Sequence, residues 1–206
     1  MKDHSLEVHG CHTYDATGAI SPAICLSATF RHPRFGESTG YDYGRVANPT
    51  RESLEKTVAL LERGGRSWAL SSGMAAVQLV FSLLSAGDHV LMSEDLYGGT
   101  VRLAEEVFAC YGVTFEYVDV RDLALVGKRM HSETKLVFIE TPSNPMMQIA
   151  DIAALSALAH ENGALLAVDN TFLSPHFQKP LTLGADIVLH SGTKYLCGHN
   201  DVIAGF

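Results

Sequence analysis

The chain reads KLVFIE at 135–140, LLAVD at 165–169 and DIVLH at 186–190, and these three stretches decide its fold. Each is a short, nearly continuous apolar run, which is typical of strands that have both faces covered. Longer stretches with helical spacing separate the runs along the chain. This alternation predicts an α/β fold with a mostly parallel sheet and helices on both of its faces.

The same alternation extends toward the amino terminus. Further strands are predicted at Ser67–Ser71, His89–Ser93 and Val113–Val118, and helices at Gly73–Ser85, Gly99–Tyr111 and Asp151–Asn162, with a turn or two near Arg121–Arg129. An earlier helix is predicted to begin at Asn48-Pro49-Thr50, with Asn48 or Thr50 as its cap, and to end at Gly64-Gly65.

Residues 1–48 differ from the rest of the chain. They contain several glycines and prolines and show no sustained periodicity. We therefore expect residues 1–48 to form an irregular arm that needs another surface to pack on, and residues 49–206 to form the main domain.

Composition limits the classes of function. The 206 residues include 15 Lys and Arg against 23 Asp and Glu, a net charge of −8, which argues against nucleic acid or an anionic membrane as partner. Hydrophobic residues make up 47% and charged residues 18%, which describes a globular chain and excludes disorder. Because the 4 cysteines lack CxxC spacing and the first residues contain no apolar signal core, we expect a cytoplasmic protein.

Ligands of open parallel sheets bind at the carboxyl ends of the strands, so the residues that follow each strand matter most. Ser71-Ser72-Gly73-Met74 opens a helix whose N–H groups suit a phosphate, although an ordinary Ser-capped turn has the same sequence. Asp169 would hold a protonated ring nitrogen, hold a metal or cap a turn. Lys194, beside the hydroxyls of Ser191 and Thr193, is either a buried base or Schiff-base former near a phosphate or a surface lysine.

Two further loops and the end of the arm carry notable residues. Tyr97 presents an aromatic ring after the strand at His89–Ser93, and two prolines rigidify the loop that presents Asn144. Tyr43 and Arg45 end the arm. Each of these also has an interpretation as loop rigidity, a core aromatic or surface charge.

Missing patterns argue against several kinds of site. Neither GxxxxGKS/T nor GxGxxG occurs, which excludes a Walker phosphate loop and disfavours a nicotinamide enzyme on a similar sheet. His9-Gly10-Cys11-His12 has no second Cys/His pair at ligand spacing, so no metal is expected.

The strand-end residues together favour one cofactor. A phosphate-type helix terminus, a stacking tyrosine, a carboxylate for a ring nitrogen and a lysine beside hydroxyls are what pyridoxal 5′-phosphate requires. At this point the sequence resembles the cystathionine synthase and lyase family of trans-sulfuration (Cys/Met metabolism), which has the PLP-dependent transferase fold type I. The resemblance runs from about Gly18 to the end and rests on seven blocks in the family's order: Tyr43-Gly44-Arg45 with Asn48-Pro49-Thr50, Ser71 to Ala76, Asp95 to Thr100, Thr141 to Pro145, Val168 to Thr171, His190 to Tyr195 and Gly198 to Val202.

The resemblance implies a role for each matching residue. Lys194 resembles the Schiff-base lysine and proton carrier, and it forms the catalytic pair with Tyr97, the ring-stacking residue. Asp169 resembles the carboxylate that keeps the ring nitrogen protonated, and Asn144 the residue near the cofactor's phenolic oxygen. The other matches are the phosphate cradle of Gly73, Met74, Ser191 and Thr193, and the pair Tyr43 and Arg45, which reaches the phosphate of a neighbouring subunit. The family therefore implies an arm packed on that subunit and a homotetramer, a dimer of dimers.

The resemblance also implies an activity on sulfur amino acids in methionine biosynthesis. Gly198-His199-Asn200-Asp201-Val202 favours the cystathionine γ-synthase type, in which a thiol replaces the γ-substituent of an activated homoserine ester. Cleavage of a C–S bond, as by cystathionine β-lyase or γ-lyase, is the alternative. Family members continue beyond this length into a C-terminal domain that supplies the Arg for the substrate carboxylate. We therefore expect an incomplete large domain, and a catalytically incompetent fragment is the further alternative.

Overall fold

The computed structural model describes residues 3–10 and 18–206, which divide into two compact units. The boundary between the units lies between Ala69 and Leu70. It therefore comes well after residue 48, the position at which the sequence pattern becomes regular. The first unit contains α1 (Asp3–His9), α2 (Pro49–Glu62) and an irregular stretch with an antiparallel bridge between Thr29 and Tyr43.

Helix α2 confirms the predicted start and corrects the predicted end. The Asn48 side chain accepts hydrogen bonds from the backbone N–H groups of Thr50, at 2.9 Å, and Arg51, at 3.3 Å, so Asn48 is the cap. The helix ends at Glu62, two residues before the expected glycine, because Arg63 itself adopts the left-handed conformation, with φ 60°. The N–H of Gly64 then bonds the carbonyl of Ala59 at 2.8 Å.

The second unit, Leu70 to Phe206, contains a five-stranded parallel sheet. Its strands are β1 (His89–Ser93), β2 (Thr114–Val118), β3 (Thr134–Glu140), β4 (Leu165–Asp169) and β5 (Ile187–Leu189). Five of the six predicted strands are thereby confirmed within one residue at each end. All four pairings are parallel, as the alternation of strands and helices predicts.

The strand order β2-β1-β3-β4-β5 fixes where a ligand can bind. The chain moves outward from β1 to β2, returns across β1 to β3, and then continues in the opposite direction. Loops that leave β1 and β3 therefore diverge, and they open a crevice at the carboxyl ends of these two strands. The loop after β1 contains Tyr97, and the loop after β3 contains Asn144.

Helices connect the strands of the second unit. They are α3 (Gly73–Phe81), α4 (Gly98–Arg102), α5 (Leu123–Arg129), α6 (Ile152–Glu161) and the short α7 (Ser174–Phe177). The helix predicted at Gly99–Tyr111 consists of three segments. The α-helix α4 is followed by a π-helical turn at Leu103–Val107 and then by a 3-10 turn at Phe108–Tyr111. Of the helices in the described part of the chain, none has the length and apolar character needed to cross a membrane.

The sheet carries an apolar layer on each face, as expected. Within β3, Leu136 and Phe138 belong to the layer under α3, whereas Val137 and Ile139 belong to the layer under α5 and α6. Phe81 of α3 is fully buried against Phe138, with ring centroids 5.5 Å apart. Burial on both faces explains why the strands read as continuous apolar runs.

The sixth predicted strand, Ser67–Ser71, is wrong as a strand. Only Leu70 pairs there, through an antiparallel bridge to Gly205. Gly205 also bridges Ser191, and Phe206 exchanges two backbone hydrogen bonds of 3.0 Å with His190. The last residues of the chain therefore lie between the segment before α3 and the segment after β5.

Candidate functional site

The site begins at the crevice between β1 and β3, where Tyr97 meets Glu140. The backbone N–H of Tyr97 donates a hydrogen bond of 2.9 Å to Oε2 of Glu140, the last residue of β3. Glu140 is 7% exposed, whereas Tyr97 is 48% exposed. A buried carboxyl group thus fixes the backbone of an aromatic residue whose ring is open to a ligand.

The Tyr97 ring lies against the first turn of α4. A Cβ on Gly99 would overlap this ring and would lie 2.9 Å from Sδ of Met74, so a larger residue there would force these two side chains to move. Met74 stands in the first turn of α3. Gly99 therefore brings together Tyr97 and Met74, two residues that the sequence predicted for the same cofactor site.

Asp169 lies one strand further along the same edge. It is the register partner of Glu140, and its Oδ1 accepts hydrogen bonds from both the hydroxyl and the N–H of Thr171. Burial raises the pKa of Asp169, although Thr171 and the neighbouring His190 oppose the increase. Burial and the charge of Asp169 together raise the pKa of Glu140 to about 8.

Thr171 links Asp169 to the next segment of the site. Its Oγ1 donates to Asp169 and accepts a 2.8 Å hydrogen bond from the N–H of Ser191. Ser191 in turn lies against the start of α3, because a Cβ on Gly73 would be 2.7 Å from Cβ of Ser191. The contacts place Asp169, Ser191 and Gly73 in one continuous cluster.

The helix terminus at Gly73 has the properties that an anion needs. Ser72 caps α3 by accepting the N–H of Ala75 at 3.1 Å, and the first turn contains no acidic residue. N–H groups at the start of a helix attract a phosphate, and the missing side chain of Gly73 lets Ser191 pack directly against that start.

Lys194 follows β5 in a turn, and the interpretation of a buried lysine is wrong. Its side chain is exposed, and among residues 3–10 and 18–206 its amine has neither a hydrogen bond nor an ion pair. The backbone is nevertheless fixed, since the N–H of Lys194 bonds the carbonyl of Ser191 at 3.1 Å and its carbonyl accepts from Gly198 at 2.8 Å. The turn therefore positions a lysine whose amine is open to an incoming group.

Thr193 has hydrogen-bond partners of its own. Its hydroxyl exchanges hydrogen bonds with the backbone of Ala204, at 3.2 Å from the N–H and 3.3 Å to the carbonyl. The contact joins the turn of Lys194 to the terminal residues of the chain.

Asn144 is half-buried in a loop that Asp95 holds. The carboxylate of Asp95 accepts hydrogen bonds from the Ser143 hydroxyl and, at 3.0 Å, from the N–H of Met146. The Ser143 hydroxyl also accepts the N–H of Gln148 at 2.9 Å. Asp95 and Glu140 therefore join the loop that carries Tyr97 to the loop that carries Asn144.

Two predicted groups belong to other parts of the chain. Tyr43 and Arg45 belong to the first unit, where the Arg45 guanidinium stands 5.1 Å from the centroid of the Tyr43 ring, and Tyr43 is partly exposed. Cys11 and His12, which belong to the motif from which no metal site is expected, lie outside the described residues.

Sequence reasoning assigned no role to Glu140, Thr171 or Asp95. Glu140 carried the same signal as Asp169, because each is a carboxylate at the end of an otherwise apolar strand. Thr171 and Asp95 gave no such signal, since hydroxyls and carboxylates are common in loops and only the fold shows what they contact.

The geometry of this site agrees with the comparison of the sequence with known protein families. A family model described as Cys/Met metabolism PLP-dependent enzyme matches residues 4–206. The chain belongs to this family. Its members depend on pyridoxal 5′-phosphate, and the residues here fit that cofactor in chemistry: a helix terminus at Gly73 with no acidic residue in its first turn, an exposed aromatic ring at Tyr97, a buried carboxyl at Asp169 and an exposed amine at Lys194.

Three members of the family illustrate its range. The cystathionine gamma-synthase/O-acetylhomoserine (thiol)-lyase of Bacillus subtilis is 51% identical over 196 residues, which are 95% of this chain and 52% of the relative. Cystathionine beta-lyase MetC of the same organism is 50% identical over 193 residues, 94% of this chain and 50% of the relative. The crystal structure of cystathionine gamma-lyase from Lactobacillus plantarum complexed with L-serine is 48% identical with a TM-score of 0.96, over 100% of this chain and 54% of that one. The chain thus spans about half the length of the relatives it matches.

Proposed function

We propose that this chain supplies the cofactor-binding part of a trans-sulfuration enzyme of the cystathionine γ-synthase type. The carrying observation is the cluster at the carboxyl ends of the strands, where Asp169, Ser191 and Gly73 are joined through Thr171 and close contact. These are the residues that a ring nitrogen and a phosphate require, and they come from three separate segments of the chain.

Each residue of the site has a proposed part in holding pyridoxal phosphate. Gly73, Met74, Ser191 and Thr193 would hold the phosphate, and Tyr43 with Arg45 would reach the phosphate of a neighbouring subunit. Tyr97 would stack on the ring, Asn144 would hold the phenolic oxygen and Asp169 the ring nitrogen. Lys194 would supply the amine for the aldehyde carbon.

Bound pyridoxal phosphate supplies an electron-withdrawing ring that stabilises negative charge at the α-carbon of an amino acid. Asp169 would keep a proton on the ring nitrogen, because a buried carboxylate stabilises an adjacent positive charge. The Nζ of Lys194 would take the proton from the α-carbon and return it later; its amine is exposed and has no partner in the described part of the chain, which suits this transfer. Tyr97 would shield the cofactor's ring from water.

The γ-synthase reaction is the first candidate, since Gly198-His199-Asn200-Asp201-Val202 is similar to that branch. In this reaction a thiol replaces the γ-substituent of an activated homoserine ester. Cleavage of cystathionine, as by a β-lyase or γ-lyase, is the second candidate. It is supported by relatives of both kinds at 50% and 48% identity, close to the 51% of the synthase.

The proposal includes an assembly and a compartment. We propose a homotetramer in which the arm of residues 1–48 packs on a neighbouring subunit; the many exposed apolar side chains of that segment, such as Ile20, Ile24 and Leu26, support this arrangement. A cytoplasmic location is supported by the described cysteines Cys25, Cys110 and Cys197, which are free thiols.

Two experiments test the proposal. The purified chain is incubated with pyridoxal phosphate, reduced with borohydride and mapped by peptide mass, and a pyridoxyl group is expected on Lys194. An activated homoserine ester is then offered with cysteine, and cystathionine is expected. A keto acid released from cystathionine would identify a lyase instead, and absence of both activities in a chain that carries the pyridoxyl group would identify a fragment without turnover.

A further inference from the structure

Glu140 has contacts that the proposed cofactor residues do not explain. It lies at the switch between β1 and β3, is buried, and accepts the N–H of Tyr97 at 2.9 Å. Its own N–H lies 3.4 Å from the hydroxyl of Ser93 at the end of β1. Glu140 therefore connects β3 both to β1 and to the loop that follows β1.

The contact with Tyr97 sets the position of the ring. Tyr97 immediately precedes α4, and its side chain does not cap that helix, so the ring is not held by the helix N–H groups. The hydrogen bond that the Tyr97 N–H donates to Glu140 fixes the backbone instead, and the tight packing of the ring on Gly99 carries that position into the side chain.

The charges around Glu140 favour its neutral form. Asp169 faces it from β4 and Asp95 from the loop after β1, and both are acidic. Backbone N–H groups of Tyr97 and Asn144 oppose this effect, but burial and the two carboxylates exceed them and raise the pKa of Glu140 to about 8. His190, beside Asp169, acts on Asp169 in the opposite direction.

We propose that Glu140 is a positioning residue: in its neutral form it holds the Tyr97 backbone, and through it the ring that stacks on the cofactor, while Asp169 carries the charge for the ring nitrogen. This inference rests on the proposed function. Glu140 then has two effects. It places the Tyr97 ring, and because it stays neutral it leaves Asp169 as the charged member of the pair.

The test compares Glu140→Gln with Glu140→Leu. The amide of Gln is neutral and keeps a carbonyl acceptor for the Tyr97 N–H, whereas Leu removes the acceptor. Glu94→Gln is the control, because Glu94 is an exposed carboxylate directly after β1 on the same edge of the sheet. The probe is pyridoxine 5′-phosphate, which lacks the aldehyde and cannot react with Lys194, and its dissociation constant is measured at pH 7 on the whole chain.

We expect Glu140→Leu to weaken binding by roughly tenfold, the size of a lost aromatic contact, and Glu140→Gln and the control to bind within about threefold of the wild type. In a Tyr97→Ala background, Glu140→Leu is expected to add no further loss. Equal losses for Gln and Leu, or additive losses for Glu140→Leu and Tyr97→Ala, would overturn the positioning role.

A second readout does not involve the cofactor. A raised pKa means that the folded chain holds a proton that the unfolded chain loses, so the stability from Glu140 is present at low pH and is lost as pH rises through about 8. Urea unfolding of the apo chain is therefore expected to show wild type losing stability relative to Glu140→Gln between pH 6 and pH 9. A constant difference would overturn the neutral form. If the wild type itself binds no pyridoxine 5′-phosphate, the proposed function fails and the positioning role with it, whereas the pH comparison still decides the charge state.

Discussion

Gly73 and Ser191 touch so closely that neither position tolerates another atom between them. A Cβ on Gly73 would stand 2.7 Å from Cβ and 2.9 Å from Cα of Ser191. The contact joins the first turn of α3 to the segment after β5, and these are the two segments that the proposed phosphate cradle requires. The proposed cradle therefore requires glycine, which has no side chain, at position 73.

Replacement of Gly73 tests this contact directly. Gly73→Ala is expected to destabilise the chain by about 1–3 kcal/mol, because the added methyl forces backbone atoms of Ser191 to move. Gly98→Ala is the matched control: it changes the first residue of α4, where the nearest atom to an added Cβ is the flexible end of Arg102 at 3.6 Å. The measurement is urea unfolding, and equal stability of the two variants would contradict the prediction.

Thr171 provides a second test, since its hydroxyl serves two partners. Thr171→Val removes the hydroxyl donor of Asp169, which keeps only the Thr171 N–H, and it leaves the Ser191 N–H without an acceptor, so we expect a loss of about 1–3 kcal/mol. Thr182→Val is the control, because Thr182 is exposed and its hydroxyl bonds only a nearby carbonyl, that of Lys179. Calorimetric unfolding of both variants at one pH separates them, and a Thr171 effect no larger than the control would show that the link is weak.

His89 makes stability depend on pH at the other end of the sheet. It is buried, its Nδ1 bonds Thr134 at 2.9 Å, and its ring stacks on that of His131 at 4.3 Å. Burial and His131 lower the pKa of His89, although Glu116 and Glu133 oppose them.

A lowered histidine pKa in the folded chain means that, between the two pKa values, the unfolded chain binds a proton that the folded chain does not bind. Stability is therefore expected to fall as pH falls below the ordinary histidine value, about 6.5, and to level off above it. Urea unfolding at pH 5.5 and 7.5 measures the loss. His89→Gln is expected to reduce this pH dependence and the exposed His199→Gln to preserve it; the same loss in all three chains would exclude His89 as the cause.

Lys194→Ala separates chemistry from folding. The side chain is exposed and its amine has no partner in the described part of the chain, so the change in unfolding free energy is expected to stay within about 0.5 kcal/mol. The pyridoxyl group trapped by borohydride is expected to disappear. The control is Lys135→Ala, which removes another exposed lysine. A pyridoxyl group that persists in Lys194→Ala would place the reactive amine elsewhere.

Strands and helices were predictable from sequence wherever burial is uniform along a segment. β3 and β4 are covered on both faces, so their apolar runs gave their position within a residue. Ser67–Ser71 failed because its partner, Gly205, lies far along the chain, and local apolar character does not reveal whether a neighbouring strand exists.

Site residues could be predicted from the sequence where the residue type and its position after a strand together indicate a chemical role. Asp169 ends a strand and Tyr97 follows one, and the prediction that they belong to one site rests on that position. The exposure of Lys194 could not be inferred, because it depends on how its turn packs against residues 204–206. Glu140 carried a readable signal, yet its partner Tyr97 lies 43 residues away and is joined to it only by the order of the strands.

The position of Gly205 has a consequence for the order of events during synthesis. This residue lies between Leu70 and Ser191, and a side chain on it would overlap the carbonyl of Ser72 at the start of α3. A nascent chain that has emerged as far as Lys194 already contains every residue proposed to hold the cofactor, but the backbone segment that joins the start of α3 to the turn after β5 is still inside the ribosome. During synthesis, the proposed cradle can therefore close only after residues 204–206 have also left the ribosome.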